Sequence, residues 1–163
     1  MRLPSRRVIN LAGFVACAGL IAYALYAEHV LMYVPCPLCI LQRIAVILLG
    51  IAFLAAAFIG PGATARKVCA TLVVLPGLFG IGVAGWHVWK QLQPPDPMAS
   101  CGAGLDYMLD TLPLGRVLEL VFTGPGDCAA IDWSLLGLSM PAWVLIALTV
   151  LTAAGVWNNL RRA

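Results

Sequence analysis

Cys36-Pro37-Leu38-Cys39 places two thiols three residues apart at the head of a long apolar run, with Arg43 one helical turn further in. Two more cysteines, Cys101 and Cys128, lie in the longest polar stretch of the chain. A thiolate attacks a disulfide through a mixed-disulfide intermediate, so two such pairs on one face could pass two electrons along by exchange. If Cys39 occupies the first turn of a helix, the exposed N–H groups and the helix dipole there favour a thiolate. Arg43 follows four residues later on the same helix face. Its guanidinium would stabilise that thiolate and offer hydrogen bonds to an oxygen-bearing acceptor. On its own Arg43 would read as a boundary residue snorkelling to the interface; the adjacent C-x-x-C favours the chemical role. His87, in Trp86-His87-Val88-Trp89, ends another apolar run and is a candidate neighbour of Arg43, or else a histidine bonded to lipid headgroups. Gln42 would add polar lining, and Glu28 and His29 read as interfacial.

Other uses of the cysteines are weaker. The C-x-x-C could be a static disulfide or half of a metal site. A zinc site using Cys101 and Cys128 is conceivable, but about 26 residues separate those two, unlike the second C-x-x-C of a ribbon-type site. No metal is expected. A Cys101–Cys128 bond could also serve only to order the polar stretch. Cys17 and Cys69 lie inside apolar runs without sequence partners and are assigned to packing.

Composition says what positions these groups. Of the 163 residues, 62% are hydrophobic and 10% charged, against about 45–50% and about 25% in soluble domains. Lipid is the expected solvent. The net charge is only +3 and the basic residues form no run beyond pairs, so nucleic-acid binding has no support. A membrane-spanning helix needs about 20 apolar residues. Four spans are expected within a single membrane domain over 1–163: about Val8 to Ala27, Leu38 to Ile59, Val68 to Trp89 and Pro141 to Trp157. Arg2, Arg6 and Arg7, Arg66 and Lys67, and Arg161 and Arg162 flank these spans on one side and make up seven of the ten basic residues. By the positive-inside rule that side is cytoplasmic. The segments 28–37 and 90–140, with Cys36, Cys39, Cys101 and Cys128, then face the oxidising side, where disulfides persist. The first run could instead be a signal peptide cleaved near Ala22–Ala27, but its apolar stretch exceeds the usual length of about 7–15 residues.

The segment 90–140 is uneven. Gln93-Pro94-Pro95-Asp96-Pro97 reads as an extended lead-in, and Ser100-Cys101-Gly102-Ala103-Gly104 as a small, accessible stretch. Leu112–Phe122 fits a short helix, lying in the interface or packed on the spans. Gly124-Pro125-Gly126-Asp127 is a turn that delivers Cys128, and Trp133 and Trp143 are candidate interface anchors. The fold class is therefore an all-α membrane protein: a four-helix transmembrane bundle with a long non-cytoplasmic loop carrying a short interfacial helix. A lipid-soluble electron acceptor would suit this location. A quinone takes up two electrons and two protons, the yield of one dithiol oxidation.

The set Cys36-Pro37-Leu38-Cys39 with Gln42-Arg43, Cys101, Gly126-Asp127-Cys128, Asp132-Trp133 and Leu136-Gly137-Leu138-Ser139-Met140-Pro141-Ala142-Trp143 resembles the DsbB family, bacterial inner-membrane disulfide bond formation proteins. The resemblance covers nearly the whole chain. It implies a thiol:quinone oxidoreductase of the inner membrane with both termini cytoplasmic. The thiolate of a periplasmic, thioredoxin-fold (DsbA-like) dithiol oxidase would attack Cys101 of a Cys101–Cys128 disulfide. Cys128 would then exchange with Cys36, and Cys39 would pass electrons to ubiquinone or menaquinone beside Arg43. His87 matches a family position near the quinone. A vitamin K epoxide reductase-like enzyme carries its quinone-proximal C-x-x-C in the last core span, whereas here it precedes the second. A membrane scaffold with structural disulfides only is the alternative from a different class.

Overall fold

The structure, a computed structural model, describes residues 4–59, 62–93, 110–117 and 133–161. Four helices dominate: α1 (Arg6–His29), α2 (Pro37–Phe58), α3 (Ala63–Gln91) and α4 (Met140–Leu160). All four are long and apolar enough to cross a membrane. Each contains one of the spans expected from hydropathy, except that Ile59 caps α2 from outside. The chain is a multi-pass helical membrane protein.

The helices start where the sequence chemistry permits. Ser5 caps α1, its Oγ accepting from Val8 N. Pro37 is the first residue of α2, where its missing N–H costs nothing. Pro141 plays the same part in α4. Pro76 lies inside α3 and cannot donate to the carbonyl four residues back, a defect that neighbouring helices make tolerable in a membrane.

In the bundle, α2 packs between α1 and α3, and α4 packs on α3 and closes back toward α1. Large apolar side chains such as Val15, Ile51, Leu75 and Val150 point outward. In water such a surface would drive aggregation; in a bilayer it is the lipid face. The interior instead uses small residues, as expected where helices gain from close approach rather than from the hydrophobic effect. Phe53 is buried at the centre, in slots left by Gly13 on α1 and Gly155 on α4. A Cβ on Gly155 would stand 2.7 Å from Phe53 Cε1 and 2.8 Å from Val73 Cγ1. Gly155→Ala is therefore expected to destabilise the bundle by about 1–3 kcal/mol through overpacking, read as a lowered thermal-unfolding midpoint in detergent. Gly82→Ala, where an added Cβ meets open space, is the control and should leave that midpoint nearly unchanged.

A buried polar knot fastens α1 to α4. Asn10, Asn158 and Asn159 are fully buried. Asn10 Nδ2 donates to Asn159 Oδ1 at 3.1 Å, and both Asn158 and Asn159 donate to Asn10 Oδ1. Arg6 joins through Asn159, and the Arg7 guanidinium lies 5.3 Å from the Phe58 ring at the far end of α2. The N-terminal end of α1 and the C-terminal ends of α2 and α4 thus share one end of the bundle, opposite Cys36. Nothing in the sequence pairs these asparagines, which sit near the ends of two separate apolar runs.

Before α4 the chain forms a small hairpin, β1 (Ser134–Leu135) and β2 (Leu138–Ser139), paired antiparallel. Its turn residues Leu136 and Gly137 have φ of 54° and 80°, the left-handed pair that a two-residue hairpin loop requires. Sequence reading did not anticipate it, since a leucine at the first of these positions hides the turn. Ser139 Oγ donates to Gln91 Oε1 at 2.6 Å, and Trp143 Nε1 donates to Leu135 O at 3.1 Å. These bonds tie the hairpin to α3 and α4. Within the expected helix Leu112–Phe122, residues 114–117 are helical and Val117 is buried; 118–122 lie outside the described residues.

Candidate functional site

The N-terminal end of α2 sets the geometry. Cys36 is the N-cap, and its Sγ accepts from Cys39 N at 3.3 Å. A sulfur at that position receives a helix N–H and the positive end of the dipole, which favours negative charge on it. Cys39 is the third residue of α2, in the first turn as the sequence suggests; the cap geometry adds Cys36 to the groups that the helix end serves, because the N-cap side chain reaches forward to the third helical residue. The two Sγ atoms are 2.8 Å apart, neighbours within easy reach of bond formation. Both cysteines are half-buried.

His87 comes from the C-terminal end of α3, the longest of the described helices. It is buried, with Nε2 3.8 Å from Cys36 Sγ. Gln42, also buried, is one turn into α2 and places its amide Nε2 2.9 Å from His87 Nδ1. A headgroup-facing histidine was the competing expectation; the structure instead brings His87 into the bundle against the dithiol. Gln42 is its hydrogen-bond partner, which the sequence suggested only as general polar lining.

Arg43 departs from the simplest expectation. Its Nη1 forms an ion pair with Glu28, and Nη2 donates to Ala24 O at 3.2 Å. Those two bonds use two of its five N–H donors. Glu28, expected to be merely interfacial, is thus the counter-ion of Arg43. The chain after α1 explains how they meet. Leu31 N and Tyr33 N bond back to Tyr26 O and Ala27 O, and Met32 turns with φ 60°. This tight return lays α2 alongside the last turns of α1.

Cys36, Cys39, Gln42, Arg43 and His87 line one cavity of about 550 Å³, together with Glu28, Tyr33, Trp133 and Trp143. Trp133 stands edge-on to Tyr23, with ring centroids 6.3 Å apart. The two tryptophans expected to anchor the interface therefore also wall this cavity. Most of the remaining wall is aliphatic, including Leu20, Ile21, Val46 and Val144. Cys17 and Cys69 are buried in the packed interior and do not line the cavity. Cys101 and Cys128 lie outside the described residues.

A vicinal dithiol at a helix N-terminus, backed by a histidine and open to an apolar cavity within a membrane bundle, defines a membrane thiol oxidoreductase. Comparison with known proteins makes the class specific. The family model described as disulfide bond formation protein DsbB matches residues 6–158. A disulfide bond formation protein B of Saccharophagus degradans is 47% identical over 162 residues, covering 99% of this chain and 98% of that one. That of Nitrosococcus oceani is 47% identical over 158 residues, covering 97% and 93%. That of Methylococcus capsulatus is 45% identical over 164 residues, covering 99% and 100%. The chain belongs to the DsbB family, and its role is disulfide bond formation as a membrane oxidoreductase.

Proposed function

We propose that this chain reoxidises a periplasmic thioredoxin-fold dithiol oxidase and passes the electron pair through two cysteine pairs to a membrane quinone. The observation that carries this reading is the opening of the Cys36–Cys39 dithiol onto a cavity of about 550 Å³. That size suits a small cofactor, for which sites of about 300–1,000 Å³ with mostly apolar walls and a few placed polar groups are usual. The aliphatic and aromatic wall fits a quinone ring, and Arg43, His87 and Gln42 supply the polar groups. A bound ubiquinone or menaquinone would take up two electrons and two protons.

The residues of the chain do the rest. A partner thiolate attacks Cys101 of the Cys101–Cys128 disulfide, forming a mixed disulfide and releasing Cys128 as a thiolate. The partner's second thiol resolves it, leaving the partner oxidised and Cys101 and Cys128 reduced. The Cys128 thiolate then attacks Cys36 of the Cys36–Cys39 disulfide, and Cys101 resolves that bond, which leaves the Cys36–Cys39 dithiol. The cap N–H holds charge at Cys36, and His87 Nε2 lies where it can take or return that sulfur's proton. Arg43 supplies a fixed positive charge, kept protonated even when desolvated. Glu28 holds it in place. Orientation follows from charge: seven of the ten basic residues flank the end away from Cys36, so that end is cytoplasmic and the dithiol faces the periplasm of the inner membrane.

The test is quinone reduction by purified chain with a reduced thioredoxin-fold dithiol protein. Turnover should require both proteins, and Cys101→Ala should lose oxidation of the partner. Undiminished partner oxidation by Cys101→Ala would refute the proposed entry point.

A further inference from the structure

We propose that the reduced site is also a metal trap: Cys36 Sγ, Cys39 Sγ and His87 Nε2 form a three-ligand site for a soft divalent cation of the Zn²⁺ class, available only in the dithiol state. The three residues place their ligand atoms within 4.8 Å of one another. Tetrahedral zinc with bonds of about 2.3 Å to sulfur and about 2.0–2.1 Å to nitrogen requires S···S of about 3.8 Å and S···N of about 3.5 Å. The Cys36–His87 separation of 3.8 Å is already near that value. The sulfurs, at 2.8 Å, need to part by about 1 Å, which a small rotation about χ1 of either cysteine provides. All three residues line the cavity, from which water or a thiol would supply the fourth ligand.

Gln42 provides the outer support that zinc-bound histidines ordinarily have. Its buried carboxamide lies on His87 Nδ1. With Nε2 of the amide facing the ring, Nδ1 accepts and the His87 proton sits on Nε2. With the amide turned over, Oε1 accepts from Nδ1–H, and Nε2 carries the lone pair that would bind a metal. One residue thus supports both tautomers, one for thiol chemistry and one for ligation.

The balance is simple. Two thiol protons leave, two sulfur–metal bonds and one nitrogen–metal bond form, and no electron moves. Closure of the Cys36–Cys39 disulfide removes both thiolates and with them the site. Metal and disulfide are therefore mutually exclusive, and metal binding holds the dithiol in its reduced form. This site rests on the side-chain geometry and not on the identity of the electron acceptor.

The experiment uses the full chain with Cys101→Ser and Cys128→Ser, so that the second pair contributes no thiolate. Titration of the reduced protein with Co²⁺ under anaerobic conditions should give one thiolate-to-cobalt charge-transfer band at one equivalent, displaced by Zn²⁺. The oxidised protein should give none. Cys36→Ser, which keeps a helix-capping side chain, should abolish the band, and Gln42→Leu should weaken Zn²⁺ binding by about 10–100-fold. Absence of the band in the reduced protein, or the same band in Cys36→Ser, would overturn the proposal. So would equal Zn²⁺ affinity in His87→Phe. No quinone is present, so failure here would leave the proposed electron path untouched.

Discussion

Cys36→Ser should fold normally yet reduce quinone with a partner dithiol only at the background rate of the uncatalysed reaction. Two consequences of one atom separate here. Serine is among the best N-cap residues, and its Oγ can accept from Cys39 N as the sulfur does. The start of α2 is thus retained and thermal stability should stay within about 1 kcal/mol of the parent. Disulfide formation with Cys39, whose sulfur lies 2.8 Å away, becomes impossible. The paired measurement is a thermal-unfolding midpoint and a quinone-reduction rate on the same preparation. Residual turnover near the parental rate would mean that electrons bypass this dithiol.

The second large effect concerns Arg43. Arg43→Met keeps an unbranched apolar stem and removes the charge. Preorganised donors that meet developing negative charge contribute about 10²–10³-fold each when deleted, and a loss of that order in quinone reduction is expected. The rate of mixed-disulfide formation with the partner should change far less, since the proposed entry point for that step is Cys101. One complication follows from the ion pair: the single substitution leaves Glu28 without its partner, and a partly buried orphan charge is itself destabilising. The double variant Arg43→Met/Glu28→Gln removes that burden. It should recover stability without recovering the rate. Recovery of both would show that Arg43 serves the fold rather than the electron transfer.

The sequence made the four spans legible because uninterrupted apolar length is a direct consequence of bilayer thickness. It also made the cysteine pair and Arg43 legible, since their types are rare in such runs and their spacing follows the helical turn. What it hid depended on distance in the chain. Glu28 and Arg43 are 15 residues apart, and only the tight return through Met32 brings them together. His87 is 51 residues from Cys36; its neighbours Trp86, Val88 and Trp89 suggest a lipid boundary, and only the packing of α3 on α2 turns the ring inward. Gln42 could be placed on the helix but not given its partner until His87 was located. The asparagine knot joins residues about 149 apart. Its only sequence signal was polar residues near the ends of apolar runs, a position they commonly occupy without partners.

The most direct test of the account is a single turnover without any partner. The chain carrying Cys101→Ser and Cys128→Ser is reduced, freed of reductant, and mixed anaerobically with one equivalent of a short-chain ubiquinone. The account predicts one quinol and one Cys36–Cys39 disulfide per chain, formed together. Quinone left unreduced by a folded, fully reduced protein, or quinol formed while both thiols remain titratable, would contradict it.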